Sequence, residues 1–228
     1  MIHVIDYGRG NLKSVFNAFR AIGQDVTVTD CSVDLKNATA IVLPGVGAFD
    51  DGIRGLRSRG FVDVLNEIVV ENEVPFLGIC LGMQFLAHRS EEGGKELGLR
   101  WIDAEVRRIR PKIPDYKVPH MGWNRLEATR ESTLLEGLDK AAVYFVHSYQ
   151  LEVSPSESQV VTATTDHGGR LTAAVQKEHI FGVQFHPEKS QGGGLKILEN
   201  FALWGRDLEP VPEEEKPASV SGSLFQSI

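Results

Sequence analysis

Short apolar runs and segments of helical period take turns along the first third of this chain, and that alternation restricts the fold more than any other feature. Ile2 to Asp6 reads as a strand and Tyr7-Gly8-Arg9-Gly10-Asn11 as a turn. Leu12 to Ile22 reads as a helix, with Leu12, Val15, Phe16, Phe19 and Ile22 on one stripe and Gly23 as its stop. Asp25 to Thr29 is a second strand and Ala40 to Leu43 a third, ended by Pro44-Gly45. Helical pattern returns over Phe61 to Val70, then comes the apolar run Val74 to Ile79 and a further helical segment, Leu81 to His88. Parallel strands need crossover connections, and helices in those crossovers cover the sheet. The expected fold class is therefore α/β, with a mostly parallel central sheet flanked by helices.

The second half has a different texture. Ala104 to Ile109, Val143 to Val146, Leu151 to Val153, Val160 to Thr164, Thr172 to Gln176 and Ile180 to Gln184 are short strand candidates. Turn residues such as Asp166-His167-Gly168-Gly169 separate them, so antiparallel strands are expected to be added to the parallel core. A last helix, about Leu195 to Leu203, packs back on the sheet. One domain over residues 1–206 is expected. Residues 207–228, rich in Pro, Glu and Ser, are expected to form a disordered acidic tail.

Composition removes several functions. A net charge of −7 offers no broad basic surface for nucleic acid. No apolar stretch approaches the roughly 20 residues of a spanning helix, and the N-terminal residues lack a signal pattern, so no membrane contact is expected. The 2 cysteines, Cys31 and Cys80, cannot build a disulfide framework. A reducing, cytoplasmic setting follows as the expectation.

The chemistry concentrates around Gly78-Ile79-Cys80-Leu81-Gly82. A residue at a sharp strand-to-helix turn projects outward, and flanking glycines let neighbouring backbone come close. A cysteine there sits where free N–H groups favour a thiolate. Most lone cysteines are small buried hydrophobes, but the glycine spacing and the strand-then-helix context argue otherwise here. A thiol nucleophile needs a base. Among the 7 histidines, His186 follows an apolar strand within Gly182-Val183-Gln184-Phe185-His186-Pro187-Glu188. Pro187 favours extended backbone, which puts Glu188 on the same side as His186. A carboxylate there fixes the imidazole tautomer. Alone, the segment reads as a surface histidine near a turn; beside the Cys80 elbow, a triad is the better reading. Pro44-Gly45-Val46-Gly47 reads either as a plain turn or as a loop turning N–H groups, with that of Leu81, toward an oxyanion.

Other motifs fail. The loop at Gly8 to Asn11 places Lys13 where a third dinucleotide-binding glycine would fall, and Gly192-Gly193-Gly194 lacks a P-loop continuation. No group of residues has metal-ligand spacing, and no metal or cofactor is expected. His120 and His147 each stand alone between apolar residues and read as core or supporting groups.

Taken in order, Pro-Gly-Val-Gly, Gly-Ile-Cys-Leu-Gly-Met-Gln and His-Pro-Glu resemble the class I glutamine amidotransferases over about residues 1–205. The resemblance implies a flavodoxin-like α/β fold and hydrolysis of L-glutamine through a cysteinyl thioester. By the match Cys80 is the nucleophile, His186 the acid and base, and Glu188 its orienter. Val46, Gly47 and Leu81 form the oxyanion environment, and Gly47, Gln84, Ser148 and Tyr149 bind substrate. Gln84 lies one turn after Cys80 and offers an amide donor and acceptor to glutamine; its alternative is a helix residue facing solvent. Pro119 to Asn124, Tyr144 to Tyr149, His186 to Ser190 and Asp6 to Leu12 are similar to glutaminase subunits of imidazole glycerol phosphate synthase, in histidine biosynthesis. That likeness implies a heterodimer with a barrel-type cyclase subunit, which receives the ammonia, and poor activity without it. Asn11, Trp123, Tyr144 and Lys189 are the candidate interface residues, although Trp123 could be core and Lys189 a solvated charge. Glutaminases of anthranilate or pyridoxal-phosphate synthase, and a flavodoxin-like cysteine protein without amidotransfer, are the alternatives.

Overall fold

The computed structural model describes residues 1–138 and 140–206, so the expected tail lies outside the described residues. A first run of elements comprises β1 (Ile2–Ile5), α1 (Leu12–Ala21), β2 (Val26–Thr29), β3 (Ala40–Gly45), α2 (Phe49–Ser58), α3 (Phe61–Leu65), β4 (Phe76–Cys80) and α4 (Leu81–Gln84). Every residue of β1, β3 and β4 is buried, as parallel strands covered on both faces must be. The second run comprises β5 (Arg89–Ser90), β6 (Ala104–Arg108), β7 (His120–Arg125), β8 (Glu127–Ala128), β9 (Ala142–His147), β10 (Tyr149–Val153), β11 (Val161–Asp166), β12 (Arg170–Lys177), β13 (Ile180–Val183) and α5 (Gln191–Arg206).

Among the described residues an eight-stranded sheet runs β2-β1-β3-β4-β13-β12-β11-β8. Its pairings are parallel from β2 through to β13. From β13 to β8 they are antiparallel. A three-stranded sheet, β10-β6-β5, and a two-stranded one, β7-β9, are added to it. Alternate residues of the central strands feed two cores. Val4 and Val42 join α1 and α5 through Val15, Phe19, Ile197 and Phe201. Ile5, Ile41 and Leu43 join α2 and α3 through Ile53, Leu56 and Phe61. No helix among the described residues is long and apolar enough to cross a membrane.

Gly23 takes φ +74 just past α1 and stops it, as expected. Other elements depart from expectation. The segment after Cys80 is helical only over Leu81–Gln84 and continues as turns to His88. The Phe61 helix passes into a π-helical stretch over Asn66–Glu71. The last helix begins at Gln191, four residues early, because Gly194 lets it lie against the carbonyl of Pro187: an added Cβ would sit 1.9 Å from that oxygen. The helix α2 and the strand β7 were not expected at all. In α2, Gly52 and Gly55 disguise the helical stripe of Phe49, Ile53 and Leu56; a Cβ on Gly52 would come within 2.6 Å of the Phe85 ring.

Candidate active site

The sheet brings the sequence motifs to one edge. Gly45, at the end of β3, pairs in register with Cys80, at the end of β4, and β13 on the other flank of β4 leads into the His186 loop. Cys80 itself has φ +54 and ψ −105, a conformation that non-glycine residues rarely adopt. Close packing holds it there. A Cβ on Gly82 would lie 1.8 Å from the carbonyl oxygen of Leu43, and one on Gly78 would lie 2.6 Å from that of Gly82. Only glycines permit the elbow to press against β3 in this way. Cys80 is 7% exposed, at the start of α4.

His186 donates from Nδ1 to Oε1 of Glu188 at 2.8 Å, with both side chains almost fully buried. Burial alone would push the His186 ring down. Interaction with the Cys80 sulfur and the Glu188 carboxylate outweighs burial and raises it to about 9. With Nδ1 committed to Glu188, Nε2 is the nitrogen left for the thiol. It is buried and makes no hydrogen bond within the described residues, although the Cys80 sulfur is near enough to help raise the ring. Ser190 secures the loop: its hydroxyl donates to the His186 carbonyl at 2.6 Å and accepts from the Tyr144 N–H at 3.0 Å.

A cavity of about 560 Å³ opens over the sulfur. Val46, Gly47, Leu81, Gln84, Ser148, Tyr149, His186 and Lys189 of the expected site line it together with Cys80. Glu188 stands behind His186, outside the lining. A larger cavity of about 1060 Å³, around Leu126 to Leu138, carries neither cysteine nor histidine. Gly47 has φ +98, so its peptide faces a direction closed to most side-chain-bearing residues. Beneath the loop, the Tyr7 hydroxyl is buried without a hydrogen-bond partner among the described residues, and burial, then the neighbouring Cys80, push its ionisation well up.

The substrate-binding expectation needs correction in its details. Both N–H groups of Gln84 are already used, one on the Tyr149 carbonyl at 3.1 Å and one on Oε1 of Gln184 at 3.0 Å. Gln84 therefore keeps only an acceptor for a ligand. The Ser148 carbonyl accepts from the Ile109 N–H at 2.9 Å. Sequence reasoning also missed Glu92, the one carboxylate in the lining, which accepts from the Phe49 N–H at 3.0 Å. It missed Gln184, whose Nε2 lies 3.6 Å from the Cys80 sulfur. Nor do His120 and His147 stand alone: their rings are joined at 3.0 Å, because β7 and β9 pair them across the ladder. Such pairings across 27 residues leave no local signal.

Of the expected interface residues, Trp123 is half exposed and packs edge-on to Tyr144, whose ring lies 5.9 Å from Lys189 Nζ. Met121 is exposed beside them on the same face of β7. Asn11 lies at the start of α1.

The family model for class-I glutamine amidotransferases matches residues 3–204. The chain belongs to that family. Among similar proteins, subunit HisH of imidazole glycerol phosphate synthase from Moorella thermoacetica is 46% identical over 201 residues, covering 88% of this chain and 93% of the relative. HisH 2 of Pseudomonas aeruginosa is 44% identical over 202 residues, covering 88% and 98%. A crystal structure described as glutamine amidotransferase superposes with TM-score 0.68 at 19% identity, covering 88% of this amidotransferase and 98% of that chain. The structure of PurLQS from Thermotoga maritima gives 0.67 at 17%, covering 89% and 97%. At those identities the structures speak for the fold alone. They agree with the α/β architecture expected from the strand–helix alternation.

Proposed function

We propose that this amidotransferase is the glutaminase subunit of imidazole glycerol phosphate synthase, hydrolysing L-glutamine and passing ammonia to a cyclase subunit of barrel type. The observation that carries the chemistry is the buried His186–Glu188 pair beside the strained Cys80. The synthase reading rests on the relatives at 41–46% identity, among them the HisH proteins of Pelagibacter ubique and Zymomonas mobilis.

Below about pH 9 His186 is held protonated beside the sulfur, which favours a thiolate–imidazolium pair. The thiolate attacks the carboxamide carbon of glutamine, and the negative charge on oxygen falls to the N–H groups of Leu81 and Gly47. His186 gives its proton to the departing nitrogen, which leaves as ammonia, and a glutamyl thioester remains on Cys80. Neutral His186 then takes a proton from water as the water attacks the thioester. Collapse releases glutamate and restores the thiolate–imidazolium pair. Glu188 keeps Nδ1–H pointing away from the reaction throughout. The charges of the lining suit an amino acid: Glu92 can receive the α-ammonium, and Lys189 is the one ammonium available to an α-carboxylate.

The half-exposed Trp123 and Met121, with Tyr144 and Lys189, form the surface for the partner, an apolar patch rimmed by charge. A reducing, cytoplasmic setting suits a chain whose Cys31 and Cys80 are both free. The deciding experiment is co-purification with the candidate cyclase, followed by assay of glutamine-dependent and ammonia-dependent product formation. Ammonia-dependent turnover by the cyclase alone, with glutamine-dependent turnover only in the complex, supports the assignment. A complex that forms no product from glutamine refutes it.

A further inference from the structure

Seven groups form one unbroken hydrogen-bond chain from β7 to the Cys80 sulfur, and each link has a forced direction. The Tyr149 carbonyl can only accept, so the His147 nitrogen 2.8 Å away, Nδ1, carries a proton. Burial, above all, holds His147 down to about 4 and His120 down to about 3, so both rings are neutral near pH 7. His147 Nε2 must then accept, and His120 Nδ1, at 3.0 Å, must donate. That leaves His120 Nε2 as an acceptor, which Asn124 Nδ2 serves at 3.1 Å while also donating to the Asp166 carbonyl at 2.7 Å. From the other side, the Tyr149 carbonyl also accepts from Gln84 Nε2, which fixes that amide's orientation. The second Gln84 hydrogen therefore meets Oε1 of Gln184, and the Gln184 amide nitrogen is turned onto the sulfur at 3.6 Å. Gln184 is 0% exposed and Gln84 5%, so water does not compete.

We propose that Gln184 is a positioning residue for the Cys80 thiolate, its N–H held on the sulfur by Gln84, Tyr149 and the His147–His120 pair. The role rests on Cys80 being the nucleophile of the proposed function. An N–H donor stabilises sulfur as the anion more than as the thiol. The donor is needed because α4 spans only four residues, so little dipole of a regular helix is aimed at Cys80. It also holds the sulfur in one rotamer before substrate arrives.

The test reads the thiol and not turnover. In the full chain carrying Cys31→Ser, the rate of Cys80 alkylation by iodoacetamide is followed against pH for the parent and for Gln184→Met, a shape-preserving change without a donor. The midpoint is expected to rise by about one pH unit, about tenfold less thiolate at a given pH. Gln84→Met, which releases the Gln184 amide, should move it the same way by less, and decides the matter if Gln184→Met does not fold. An unchanged or lowered midpoint in the folded variant overturns the role of Gln184. That outcome leaves the proposed function standing, since Cys80 is removed as the nucleophile by a different result, ammonia release from glutamine by Cys80→Ala protein.

Discussion

His186 and Glu188 share a 2.8 Å hydrogen bond inside the protein, and the bond joins residues only two positions apart. Catalytic pairs are usually assembled from distant parts of a chain. Here Pro187 opens a tight turn, so one short loop supplies both the proposed base and its carboxylate partner.

Cys80→Ala and His186→Ala should each abolish glutamine hydrolysis, because no other described group reaches the same position. Glu188→Gln keeps an acceptor for Nδ1 but loses the charge, and should lower kcat by about 100-fold, at the lower end of general acid–base contributions. Ammonia release measured in the complex with the cyclase checks all three. A Glu188→Gln protein as dead as Cys80→Ala would mean the carboxylate does more than orient.

Stability should peak near neutrality, from two opposed titrations. His186 is raised to about 9 in the fold, so its contribution is full below the unfolded value of about 6.5 and is lost as pH rises through 9. His120 and His147, lowered to about 3 and about 4, act the other way. Their contribution is present above about 6.5 and is lost as pH falls toward the folded values. Urea midpoints between pH 4 and 9 test this. His120→Phe should flatten the acid limb alone, and Glu188→Gln the alkaline one.

Gly82→Ala should destabilise by about 3 kcal/mol, the upper end of ordinary overpacking, since the clash is with the Leu43 backbone. Gly47→Ala meets only the flexible tip of Arg9 at 3.2 Å, but φ +98 strains any residue with a side chain, so it should cost about 1–2 kcal/mol and also show slower turnover. Thermal melts set beside kcat separate the two.

Trp123→Ala should leave the melting temperature of the isolated chain within a few degrees, because half the ring is already in solvent. Its affinity for the cyclase should fall by about 30-fold, as for a central aromatic anchor worth about 2 kcal/mol. Titration calorimetry reads both partners directly. Wild-type affinity would remove Trp123 from the interface.

What the sequence disclosed was local. The Cys80 elbow and the His186–Glu188 loop each lie within five consecutive residues; glycine spacing suffices for the first, whereas in the second only His186 is extended and a 3-10 turn over Pro187–Lys189, not strand alternation, brings Glu188 to the ring. The parallel half of the sheet was legible for the same reason, since β1, β3 and β4 are continuous apolar runs. What stayed hidden depends on partners far along the chain. In β7 only His120 is fully buried among its six residues, so no alternating apolar pattern announces a strand. The Gln184 amide reaches a residue 104 positions away, and the use of both Gln84 donors follows from that closure. Glu92 reaches the site because the segment after β5 wraps onto the start of α2, a helix whose own pattern the glycines conceal.

The positive φ of Cys80 has an evolutionary edge. Left-handed backbone of this kind costs any side-chain-bearing residue about 1–3 kcal/mol, and glycine alone escapes it. On the proposed function, Cys80 is thus kept in place by selection for turnover, against the preference of its own backbone. In a duplicated copy released from that selection, glycine at position 80 would be the first substitution to meet no resistance.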